Sequence, residues 1–147
     1  MKKIIFLTLV LFAVTFFSQS VKAQTEAQRI ELCAKVANAT MQGSYVVQLD
    51  ATSPGQRPQE FRQAFAFRAK VKYRITICTD EESDGEATVR LLEEAKVVGR
   101  SFDPQTGVSV QSFDFDCTKT GPYVIIAAIK DGKQGSAIII VSMVKTL

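Results

Sequence analysis

The residue types able to do chemistry in this chain form a short set, and one absence narrows it at once. The chain contains no His. That removes the usual general base, the commonest transition-metal ligand, and every Ser-His or Cys-His nucleophilic arrangement. A pair of carboxylates is what remains for hydrolysis. Asp114 and Asp116 stand two apart, so on a strand they share a face at about 7 Å. Their ordinary role on such a face is to be solvated opposite basic neighbours, and no catalytic residue is assigned. The run Asp80-Glu81-Glu82-Ser83-Asp84-Gly85-Glu86 places oxygen ligands at alternate positions before a Gly, as the first half of a calcium loop does. The closing bidentate Glu is missing, because Leu91 stands in its place. A soluble hairpin turn is the simpler account, and neither a metal nor a cofactor is expected.

Two further sets concern binding and covalent structure. Arg68, Lys70, Lys72 and Arg74 put four positive charges at strand spacing, about 20 Å from end to end. Such a stripe suits an anionic polymer, and equally protects a strand edge or pairs across strands with Asp114 and Asp116. The three Cys, Cys33, Cys78 and Cys117, include no Cys-x-x-Cys, which argues against a redox motif or a zinc site. Outside the cytoplasm they should give one disulfide and one thiol left over, with three pairings open.

The beginning of the chain supplies that compartment. Lys2 and Lys3 precede an apolar run from Ile4 to Phe17, and Val21-Lys22-Ala23 closes a more polar segment with small residues where a signal peptidase reads. Residues 1–23 are expected to be a cleavable signal peptide, cut between Ala23 and Gln24, with a cut after Ser20 as the second choice. The apolar run is short for a bilayer, which needs about 20 residues, so the mature chain should carry no transmembrane anchor. The 18 Lys+Arg and 15 Asp+Glu of the chain become 15 of each once Lys2, Lys3 and Lys22 leave. A neutral mature chain gives no argument for nucleic acid.

The elements that must position these residues follow from periodicity. Thr25 and Gln28 suggest a capping box, and Ile30, Cys33, Ala37 and Met41 recur at helical spacing. The pattern predicts an amphipathic helix over residues 24–43, ended by Gly43 and packed on the domain. From residue 44 to 147 the period is two. Tyr45 to Leu49 is a strand; Phe61 to Cys78 alternates long enough for two strands with a bend near Arg68 to Lys72. Ala87 to Leu91 and Val97-Val98 follow. Val108, Val110, Phe113, Phe115 and Cys117 predict another strand. Tyr123 to Ile129 and Ala137 to Val144 are apolar throughout, and Asp131-Gly132-Lys133-Gln134-Gly135 between them predicts a hairpin. The fold class expected is mostly β: an antiparallel β-sandwich or jelly roll of six to eight strands with one N-terminal amphipathic helix.

Tyr73-Arg74-Ile75-Thr76-Ile77 and Gly121-Pro122-Tyr123-Val124-Ile125-Ile126 with a closing apolar strand resemble the strand signature of pre-peptidase C-terminal-type jelly rolls. The block Phe113 to Gly121 is similar to one in small exported proteins of Gram-negative bacteria. The resemblance implies an antiparallel jelly roll that accompanies or binds something and performs no chemistry. The function expected is a non-catalytic exported module, periplasmic or secreted, binding an envelope protein or an anionic polymer. A structural or stress-related periplasmic protein and a small carboxylate hydrolase are the alternatives.

Overall fold

A computed structural model describes residues 20–147, with side chains from residue 26 onward. Among the described residues one α-helix, α1 (Ser20–Ala37), precedes eight strands: β1 (Thr40–Leu49), β2 (Phe61–Phe67), β3 (Val71–Thr79), β4 (Ala87–Glu93), β5 (Lys96–Arg100), β6 (Ser112–Cys117), β7 (Gly121–Ile129) and β8 (Gly135–Thr146). They form two four-stranded sheets in the orders β1-β8-β3-β6 and β2-β7-β4-β5. Every pairing is antiparallel, and β1 meets β8, β2 meets β7, β3 meets β6 and β4 meets β5. That nested order is the jelly roll: a long eight-stranded hairpin rolled so that consecutive strands alternate between sheets, except β4 and β5, which pair within one.

The alternation explains a sequence expectation that fails. Tyr123–Ile129 and Ala137–Val144 do not pair as a hairpin. β7 lies between β2 and β4 in one sheet, and β8 lies between β1 and β3 in the other. Both read as apolar throughout because both are central strands. β8 is covered on its second face as well, where Ile138 and Ile140 pack under Cys33 and Ala37 of α1. The two strands read from Phe61 to Cys78 are real, and their break at residues 68–70 carries the chain from one sheet to the other. Lys70 takes a positive φ of 63° there.

The helix ends at Ala37, not at Gly43. Asn38 adopts φ 48° in the left-handed region that Asn tolerates better than most residues, and this stops the helix. Met41 therefore belongs to β1, and its helical spacing was coincidental. Gly43 sits where the β1–β8 register shifts. Ala23 and Gln24 fall within α1; residues 1–19 of the expected signal lie outside the described residues.

Between the sheets, inward residues of all eight strands form one core. Its centre is aromatic. The fully buried Phe67 ring stands 4.6–5.6 Å, centroid to centroid, from Tyr73, Phe115 and Tyr123, each edge-on. Phe65 tilts against it at 4.8 Å. Edge-to-face contacts place the positive rim of one ring on the negative face of the next. The Tyr123 hydroxyl donates to the Lys119 carbonyl at 2.9 Å, and burial, first of several causes, raises its pKa. The Cys117 thiol is free and buried, donating to the same carbonyl at 3.2 Å.

Gly99 in β5 permits close packing, since a Cβ there would run into the Phe113 ring. Gly99→Ala should therefore destabilise by about 1–3 kcal/mol, the usual cost of overpacking. A urea melt checks this, and an unchanged midpoint would show that Phe113 moves aside freely.

Candidate functional site

The carboxylates and cations singled out by sequence meet across the β3–β6 pairing. Lys72 faces Asp116 and Arg74 faces Asp114 in register. Arg74 grips Asp114 bidentately, Nε to Oδ1 at 2.6 Å and Nη2 to Oδ2 at 3.0 Å. Lys72 lies 3.3 Å from Asp116. The Arg74 hydrogen bond holds the Asp114 carboxyl below its usual range, so it is a poor proton donor at neutral pH. Arg74 also donates Nη1 to the Ala37 carbonyl at 3.0 Å, capping the C-terminus of α1 where a cation is favoured. Arg74 thus ties α1, β3 and β6 together.

The expected four-charge face is accordingly divided. Lys72 and Arg74 lie on β3 with carboxylate partners, while Arg68 and Lys70 lie in the β2–β3 connection. Among the described residues neither of the latter has an ion-pair partner.

A pH dependence follows from these pairs. Glu86 is also held low, first by its hydrogen bond from Lys130. Carboxyls whose folded pKa lies below the unfolded value, about 3.9 for Asp and 4.3 for Glu, stabilise above those values. That stabilisation is lost as pH falls through the lowered folded pKa. Unfolding midpoints should be flat from pH 7 to 5 and fall below about pH 4. Asp114→Asn should lower the midpoint at pH 7 and flatten part of the acid limb; an acid limb unchanged by this substitution would count against the Asp114 assignment.

Of the three Cys, Cys33 and Cys78 form the disulfide, with Cα atoms 5.9 Å apart, fastening α1 to the outer face of β3. Beside it Arg29 reaches Asp80 at 3.1 Å and the Ser136 hydroxyl at 3.1 Å. Asp80 thus serves an ion pair. No three acidic or Cys side chains among the described residues converge to hold a metal ion. Gly85 is required by packing, since a Cβ would come within 2.7 Å of Ile129 Cγ2.

The rolled topology gathers the connections 50–60, 80–86, 101–111 and 130–134 at one end of the sandwich, and 68–70, 94–95 and 118–120 at the other. The first group is stitched together. Thr52 N–H donates to Gly132 O at 2.7 Å, Asp84 N–H to Gln134 O at 3.1 Å, and Lys130 N–H to Glu86 O at 2.9 Å. Lys130 is the hub. Its ammonium pairs with Glu86, donates to the Ser109 hydroxyl at 2.8 Å, and lies 3.9 Å from the Phe102 ring centroid, a cation–π contact.

These contacts hold the loop 101–111, which sequence assigned in part to a strand. Val108 and Val110 are not in β6; they form the returning limb of a small hairpin. Phe102 bridges Ser109, Asp103 N–H donates to Val108 O at 3.0 Å, and Gly107 N–H donates to Asp103 O at 2.8 Å. Gly107 supplies the positive φ of 72° at the tip, and the Asp103 carboxylate accepts from Gln105 N–H at 2.9 Å. Val108 is 57% exposed and Val110 46%. One signal in the sequence could have found this. Odd-even parity breaks between Val110 and Phe113, so both cannot continue one regular strand.

Charge is separated along the sandwich. The four connections at the Val108 end contain nine carboxylates and three cations. The three connections at the far end contain Arg68, Lys70 and Lys119 against Glu94.

No family model matches the chain, and no curated protein matches it. The pre-peptidase C-terminal resemblance therefore has no family support, although the jelly roll it implied is the architecture found. Among solved structures the chain is similar to PliG of Aeromonas hydrophila, a periplasmic inhibitor of g-type lysozyme. The TM-score is 0.52 at 13% identity, over 73% of this chain and 90% of that chain. The likeness is one of fold. No described helix is long and apolar enough to cross a membrane.

Proposed function

We propose that this chain is an exported, non-catalytic binding module of the cell envelope whose partner is a protein. The observation that carries the reading is the shared jelly roll with PliG, a protein-binding periplasmic inhibitor, over nine-tenths of that chain. The Cys33–Cys78 disulfide fits an oxidising compartment, as does a signal over residues 1–23 cut between Ala23 and Gln24. The geometry supports binding over catalysis. Asp114 and Asp116, the carboxylates considered for hydrolysis, are engaged by Arg74 and Lys72. The structured end carrying 101–111 offers a preformed surface, which lowers the ordering cost of association.

The partner class to try first is a g-type lysozyme, because that is what the structural neighbour inhibits. The processed protein, purified from the periplasm, should slow clearing of a cell suspension by a g-type lysozyme and show no hydrolysis alone. Unchanged clearing and no complex would remove this partner. An anionic polymer contact through Arg68 and Lys70 is the competing reading. It gains if an acidic glycan stabilises the protein and the shift vanishes in Arg68→Ala/Lys70→Ala.

A further inference from the structure

We infer that the returning limb of the 101–111 hairpin is the docking anchor of the protein. Val108 and Val110 would seat in an apolar recess of a partner whose surrounding surface is cationic. The inference rests on the protein-partner reading above and adds the surface and the partner's chemistry.

Three observations converge on it. Val108 and Val110 stand two apart on the same limb; they are 57% and 46% exposed, and neither belongs to either core cluster. Aliphatic side chains held in water gain by burial, roughly 25 cal/mol per Å² of apolar area removed from it. The limb is also rigid. The Phe102–Ser109 bridge, the Asp103 turn and the Lys130 ammonium fix both of its ends, so binding need not order it.

The third observation is the charge at this end. Glu81, Glu82, Asp84 and Asp131 share this end and have no ion-pair partner among the described residues, whereas Asp80, Glu86 and Glu60 are engaged by Arg29, Lys130 and Arg62. Nine carboxylates against three cations in the connections at this end favour a cationic surface and disfavour an acidic one, with the gain mostly in encounter rate and specificity. An anionic polymer is disfavoured at this end for the same reason. Lys130 is a positioning residue: it contacts Phe102 and Ser109 and is three-quarters covered, so it holds the limb without meeting the partner.

The test titrates the processed protein at low salt against two probes, a purified g-type lysozyme and cytochrome c. The latter is a cationic protein with an apolar recess and no lysozyme activity. Val108→Ser/Val110→Ser should weaken binding of either probe about tenfold or more. Glu81→Gln/Glu82→Gln/Asp84→Asn should weaken it at low salt and converge with the wild type at high salt. Arg68→Ala/Lys70→Ala, at the far end, should bind as the wild type does. All changed side chains are exposed, and unchanged thermal midpoints confirm that folding is intact. Lysozyme binding lost while cytochrome c still binds through the valines would retire the lysozyme partner and keep the docking surface. Binding of neither probe, or binding indifferent to the valines, would overturn the inference.

Discussion

Phe67→Ala should cost about 3–5 kcal/mol, the range for truncating a buried aromatic, and this is the largest single-residue effect expected in the fold. Phe67 is fully buried and touches four other rings from both sheets. Its removal leaves a cavity bounded by Phe65, Tyr73, Phe115 and Tyr123, none of which can collapse into it without leaving its partners. The Tyr123 hydroxyl is anchored to Lys119, so that ring is the least able to move. A total stability of 5–15 kcal/mol is ordinary for a domain, so the variant should be marginal at 37 °C. Phe67→Leu, which refills most of the volume, should recover much of the loss. Urea melts of both variants check this, and a cost below about 1 kcal/mol for Phe67→Ala would show that the ring cluster does not organise the core.

Removing the Cys33–Cys78 bond should be nearly as costly. The bond closes a loop over a sequence separation of 45 residues, and the chain-entropy relation gives about 4 kcal/mol for a loop of that size. Cys33→Ala/Cys78→Ala should therefore lower the thermal midpoint by roughly 10 °C or more. Oxidised wild type treated with reductant should move the same way, while the double variant should not respond. The loss should be uneven. α1 touches the sandwich through Ile30, Cys33, Ala37, Ile138 and Ile140 and through Arg29 and Arg74, a small apolar contact beside the main core. Amide exchange in α1 should accelerate more than in β7. Equal protection of α1 with and without the bond would mean that the packing alone holds the helix.

How much of this was legible beforehand depended on what each pattern encodes. Period-two alternation in β3 and β4 reports one buried face, and a sandwich followed from it. Strand partners are not encoded that way. Tyr123–Ile129 and Ala137–Val144 are joined by turn residues, yet pair with other strands, because closing the roll puts one in each sheet. The helix stops five residues before the Gly that the pattern suggests, because Asn38 takes a positive φ. Cross-strand pairing of Asp114 and Asp116 with the basic stripe was anticipated as one option, and Arg74 and Lys72 realise it. The disulfide could not be chosen, because helix-to-sheet docking decides which Cys faces which. Val108 and Val110 look like an extension of β6 in composition, yet the parity break before Phe113 places them outside it.

The most direct test of the account is a hydrogen-exchange footprint of the processed protein with and without bound g-type lysozyme. Protection is expected in residues 101–111 and 80–86, with the connections 68–70 and 118–120 unchanged. Protection at 68–70 and 118–120, with 101–111 exchanging freely in the complex, would contradict it and move the working face to the basic end.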